Sequence, residues 1–113
     1  MSRVKLAAGN RLHFWCPGCD EAHTIFYGLN GWEWNRLDNT PTFKPSVKVT
    51  GVQWEPEYGF HRRTHAVMPG NEIVCHSYVT DGRIQFLDDS THYLAGKTVD
   101  LPEWNPPKDS PYA

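Results

Sequence analysis

Apolar and polar residues alternate with period two along most of the chain, the pattern of strands with one buried face. Val4 to Leu6 and Leu12 to Trp15 predict short strands on either side of a Gly9-Asn10 reversal. Thr24-Ile25-Phe26-Tyr27 is a β-branched and aromatic run, and Gly28-Leu29-Asn30-Gly31 breaks it. Trp32-Glu33-Trp34-Asn35 then predicts a strand with both indoles on one face, paired with the preceding run as a hairpin. Pro41 and Pro45 exclude a helix between them and predict an extended edge segment. Ser46 to Thr50 alternates cleanly and continues through Gly51 to Val52 and Trp54. Glu55 to Gly70 carries Pro56, Gly59, Pro69 and Gly70 with His61, Arg62, Arg63 and His65, and reads as a long loop.

The strongest local signal is Asp81-Gly82 between Glu72–Thr80 and Arg83–Leu87, a type I′ hairpin. A two-residue loop sets Val79 opposite Ile84, Ser77 opposite Phe86 and Cys75 opposite Asp88. The more apolar face carries Ile73, Cys75, Ser77, Val79, Ile84 and Phe86, so Cys75 points inward and His76 lies on the other face. Asp88 to Gly96 predicts one short helix, with Asp89 or Ser90 as N-cap and Gly96 as the left-handed stop. Thr98 to Leu101 predicts a last strand. Pro102, Pro106, Pro107 and Pro111 make the C-terminus extended, with Trp104 pinning its start to the body. The expected fold is mostly β: a small antiparallel hairpin domain over residues 1–104 with a zinc knuckle and one short helix, followed by a proline-rich tail over 105–113.

A chain of 113 residues buries a modest core, and domains of this size often add a metal. The net charge of −2 and scattered basic residues argue against nucleic acid as a partner. No run approaches the ~20 apolar residues of a membrane span and the N-terminus lacks a signal-peptide pattern, so the expected location is the cytoplasm. The five Trp, five Tyr and five Phe are read first as core filling and second as a binding surface.

Candidate chemistry centres on Cys16-Pro17-Gly18-Cys19, which aims two thiols at one point as zinc knuckles do. The third cysteine is Cys75, and an odd count suits thiolate ligands better than a disulfide framework. The fourth ligand is expected to be His92 on the short helix, with His23 and then His76 as competitors. The predicted metal set is therefore Cys16, Cys19, Cys75 and His92, holding a structural zinc whose three thiolates suppress Lewis acidity. Competing readings are a redox dithiol for the Cys pair and a buried small hydrophobe for Cys75. A catalytic alternative uses a water-bearing zinc with His76, Asp88 and Asp89 nearby; the plainer reading of the two carboxylates is helix capping.

Taken together, Cys16-Pro17-Gly18-Cys19, Trp32-Glu33-Trp34-Asn35, Pro41-Thr42-Phe43-Lys44-Pro45-Ser46, Cys75-His76-Ser77 and Asp81-Gly82-Arg83-Ile84-Gln85-Phe86-Leu87 through Thr91-His92-Tyr93-Leu94-Ala95-Gly96 form an ordered set. The set resembles a family of small proteins of unknown function from tailed phages and prophages, many of them labelled "ammonia monooxygenase". A membrane-bound multi-copper oxygenase cannot be built from this short chain, so that label is set aside. The resemblance covers about residues 14 to 104 and departs at Ser90, where family members often have cysteine two residues before the histidine. It implies a phage or prophage origin and metal binding. The functional expectation is a zinc-stapled accessory module that binds a host or phage protein in the host cytoplasm, with anti-defence as one role. A metal-dependent hydrolase and a structural virion component are the alternatives.

Overall fold

The computed structural model describes residues 2–52 and 72–108. Nine strands lie among them: β1 (Lys5–Ala7), β2 (Arg11–Cys16), β3 (Glu21–Phe26), β4 (Glu33–Trp34), β5 (Phe43–Lys44), β6 (Val47–Val52), β7 (Glu72–Thr80), β8 (Arg83–Phe86) and β9 (Thr98–Asp100). They form a three-stranded sheet β1-β2-β3, a two-stranded ribbon β4-β5 and a four-stranded sheet β6-β7-β8-β9, with every pair antiparallel. The predicted Glu55–Gly70 loop and the continuation to Trp54 lie outside the described residues.

Alternation produces the core. In β2, Leu12, Phe14 and Cys16 are buried while Arg11 is exposed; in β8, Ile84 and Phe86 are buried while Arg83 and Gln85 are exposed. Both sheets contribute to one apolar cluster with Phe43, Val47, Val79, Leu94 and Leu101. Each large side chain taken fully from water contributes about 1.5–3 kcal/mol relative to exposure. Phe14 and Phe43 pack with ring centroids 5.5 Å apart, joining the first sheet to the β4-β5 ribbon.

The Asp81-Gly82 hairpin has the predicted register, Val79 opposite Ile84 and Ser77 opposite Phe86. Its ladder ends there, so Cys75 does not pair with Asp88. Two further expectations are corrected. First, Tyr27 and Trp32 meet only in an isolated bridge, and Glu33–Trp34 pairs instead with Phe43–Lys44 across the proline-flanked segment. Second, residues 88–96 form turns and no helix. Their polar groups are committed elsewhere. Ser90 Oγ both accepts from the His76 N–H (3.1 Å) and donates to the His76 carbonyl (3.2 Å). The Thr91 N–H donates to the Val74 carbonyl at 2.8 Å, and Thr91 Oγ1 accepts from the Val74 N–H at 3.0 Å. Further on, the Ala95 N–H closes only an i→i−3 turn onto the His92 carbonyl (3.2 Å) and the Gly96 N–H goes to the Phe86 carbonyl (3.0 Å), so no run of helical i→i−4 bonds forms.

Trp104 pins the start of the C-terminal segment to the body, as expected. The Trp104 N–H donates to the Ser2 carbonyl at 2.9 Å, and the Trp104 ring stacks on His13 at 5.9 Å. Arg3 reaches the Leu101 carbonyl from the N-terminal segment.

Gly82 and Gly9 share a φ of +79°, but a Cβ on Gly82 would lie 2.7 Å from the Asn39 carbonyl oxygen, whereas one on Gly9 meets nothing within 4 Å. Both alanine variants incur the left-handed backbone cost of about 1 kcal/mol; Gly82→Ala is expected to lose about 1–3 kcal/mol more, checked by paired urea denaturation curves.

Candidate active site

The β2-β3 hairpin turns through the knuckle. The Asp20 N–H closes onto the Cys16 carbonyl at 2.8 Å, and the Cys19 N–H donates to Cys16 Sγ at 3.3 Å. Register places His23 opposite Phe14, so its ring shares the inward face with Phe14 and Cys16. From the other sheet, Cys75 brings its thiol to 3.6 Å from that of Cys16. The ligand atoms of Cys16, Cys19, His23 and Cys75 all lie within 4.8 Å of one another, a group that can hold one metal ion. Cys16, Cys75 and His23 are buried, and His23 Nε2 has no hydrogen-bond partner. The Cys19 and Cys75 thiols donate to Cys16, and the Cys19 and Gly18 amides add to this, which pulls the Cys16 thiol well below its ordinary value. The same sharing, with burial, pushes Cys75 up.

Thus the structure brings together three of the four predicted ligands and adds His23. His92 lies outside this group. Its ring packs edge-on against Phe86 at 4.4 Å, and Nδ1 accepts from the Leu94 N–H at 3.2 Å. It fills the space above Gly18, where a Cβ would come 2.3 Å from His92 Cε1. His92 sits on a turn rather than on the expected helix, with its ring against the knuckle's glycine.

The opposite face of β7 holds a second constellation. His76 pairs with Lys48 in the β6-β7 ladder, so Ser46, two residues before Lys48, is its diagonal neighbour on the same face. Ser46 Oγ lies 3.0 Å from His76 Nε2. His76 Nδ1 lies 3.1 Å and 3.3 Å from the two carboxylate oxygens of Asp89. Hydroxyl, imidazole and carboxylate stand in a row, the arrangement in which a base activates a serine and an acid holds the base's tautomer. The row is half-buried at Ser46 and His76 and open at Asp89. Each member is placed by backbone contacts. The Trp32 indole N–H donates to the Ser46 carbonyl at 3.2 Å. Ser90 brackets both backbone groups of His76, which sets the neighbouring Asp89 beside its ring. His76 does not reach towards the cysteines, because Cys75 and His76 alternate on the strand.

Residues 2–87 match the family model described as bacterial ubiquitination-like system serine protease (BubE). The chain belongs to this family. The BubE match includes Ser46 and His76, and Asp89 stands two residues beyond its end. No curated protein and no solved structure gives a match. Among the described residues, no helix is long and apolar enough to cross a membrane.

Sequence reasoning singled out His76 and Asp89, but with a metal as their partner, and it missed Ser46. The available signal was the cleanly alternating strand that begins at Ser46, with His76 facing away from Cys75. What was lacking was the long-range β6-β7 register that makes Ser46 and His76 neighbours.

Ser90→Ala removes both hydrogen bonds to the His76 backbone. A loss of about 1–2 kcal/mol in urea denaturation is expected, with metal content unchanged, since Ser90 is no part of the thiol cluster.

Proposed function

We propose that the chain is a serine hydrolase that cleaves an amide bond in a protein of a bacterial ubiquitination-like system, with Ser46 as nucleophile, His76 as general base and acid, and Asp89 as the group that orients it. The observation that carries this reading is the Ser46–His76–Asp89 row, with its 3.0 Å and 3.1 Å contacts, in a chain of the BubE family.

Ser46 Oγ donates its proton to His76 Nε2 as the oxygen attacks the substrate carbonyl. Asp89 accepts from Nδ1–H, fixing the tautomer with Nε2 free and stabilising the imidazolium that forms. His76 then gives the proton to the leaving amine, leaving an acyl-Ser46 ester. Water attacks that ester with His76 again as base, and Ser46 is restored. The order along the chain is serine, histidine, aspartate; such rows are defined by geometry and roles rather than by order.

The cysteine cluster has a different role in this reading. Cys16, Cys19 and His23 from one side and Cys75 from the other sheet would hold a structural zinc ion through three thiolates and one imidazole. It leaves no position for substrate and braces β7 one residue from the general base. This reading replaces the expected accessory binding role with that of a hydrolase.

Hydrolysis of p-nitrophenyl acetate and of fluorogenic peptide amides tests the nucleophile. Ser46→Ala and His76→Ala are expected to lose about a thousandfold or more in kcat/KM, and Asp89→Asn about a hundredfold or more, with folding retained. Unchanged hydrolysis in Ser46→Ala overturns the reading. For the brace, elemental analysis should find about one zinc per chain, lost in Cys75→Ser and His23→Ala but kept in His92→Ala. Chelation should lower Tm in the wild type.

A further inference from the structure

A cavity of about 580 Å³ with no part in the chemistry above is lined by Tyr27, Trp32, Glu33, Trp34, Arg36 and Lys44. Its volume is within the range of ligand pockets, roughly 300–1,000 Å³. The β4-β5 ribbon forms its floor, and Tyr27, Trp32 and Trp34 supply aromatic walls. Two of its lining residues lead to the Ser46 backbone. Trp32 lines it and donates its indole N–H to the Ser46 carbonyl, and Lys44 lines it two residues before Ser46.

The charge pattern is specific. Arg36 lies over both the Tyr27 ring (5.6 Å) and the Trp34 ring (6.0 Å), so its guanidinium is held at the wall by two aromatic faces. Lys44 stands opposite Glu33 in the ribbon. Two cations and one carboxylate therefore line the cavity, and among the described residues neither Arg36 nor Lys44 forms an ion pair. A guanidinium held near ring faces still offers N–H donors to a carboxylate.

We infer that this cavity is the substrate subsite of the Ser46 hydrolase and that it takes an acidic peptide segment, with an aromatic or aliphatic side chain against Trp34 and a carboxylate at Arg36 and Lys44. The subsite's role rests on Ser46 being the nucleophile. The aromatic walls supply apolar contact area, and the surplus cation selects the sign of the neighbouring charge.

Binding to the full-length Ser46→Ala protein tests this without turnover. The probes are fluorescein-labelled hexapeptides with phenylalanine–glutamate, phenylalanine–lysine or alanine–glutamate at the centre, read by fluorescence anisotropy. The phenylalanine–glutamate peptide should bind about tenfold or more tighter than either of the others, a preference of about 1.4 kcal/mol or more. Adding Arg36→Gln should remove the glutamate-over-lysine preference, and adding Trp34→Leu should remove the phenylalanine-over-alanine preference. Equal affinity for the three peptides, or a preference that survives Arg36→Gln, overturns the subsite. Ester hydrolysis by the wild type separates the two claims. Lost selectivity with intact hydrolysis overturns the subsite alone, whereas absent hydrolysis overturns the nucleophile and the subsite's role with it.

Discussion

Two adjacent residues of one strand face opposite ways, and both candidate sites depend on that alternation. Cys75 points into the space between the sheets, where it meets Cys16, Cys19 and His23. His76 points to the other face, where it meets Ser46 and Asp89. A one-residue slip of β7 would exchange the two side chains, separate the thiols and break the row at once. The register is held from both sides, by the β6 and β8 ladders and by Ser90 and Thr91 along the end of β7 that β8 does not cover.

This arrangement suits a small domain. A domain of this length buries only a modest core and often draws on a metal or cross-link for stability. The thiol cluster joins the two sheets at the residue next to His76, so cohesion and the Ser46–His76–Asp89 geometry share one strand. Ser90 adds a local brace, because both its hydrogen bonds go to the backbone of the residue whose ring must be aimed. The Trp32 indole does the same for Ser46 from the opposite side, and also walls the cavity proposed to receive substrate.

Much of this was legible in the residues themselves. Period-two alternation gave the strands, Asp81-Gly82 gave a hairpin with its register, and Cys16-Pro17-Gly18-Cys19 gave the knuckle. His23 could have been read in full: a β2-β3 hairpin turning at the knuckle sets it opposite Phe14, on the inward face. It was ranked below His92 because Asp88 to Gly96 carries helix-capping residues. The cap-like serine and its neighbouring threonine instead bond to β7, a choice only tertiary structure decides. Ser46 was hidden for a different reason. Its partnership with His76 spans 30 residues and depends on strand pairing, which local pattern does not determine. The BubE match supplies the serine-protease context, and the geometry supplies the serine.

The most direct test of the central claim is a covalent one. Purified protein treated with a fluorophosphonate probe, digested and mapped by tandem mass spectrometry reports which hydroxyl is activated. The account predicts a single adduct on Ser46, absent after His76→Ala although the serine is still present. No adduct on Ser46, or equal labelling with and without His76, would show that the Ser46–His76–Asp89 row is a surface hydrogen-bond network and no catalytic site.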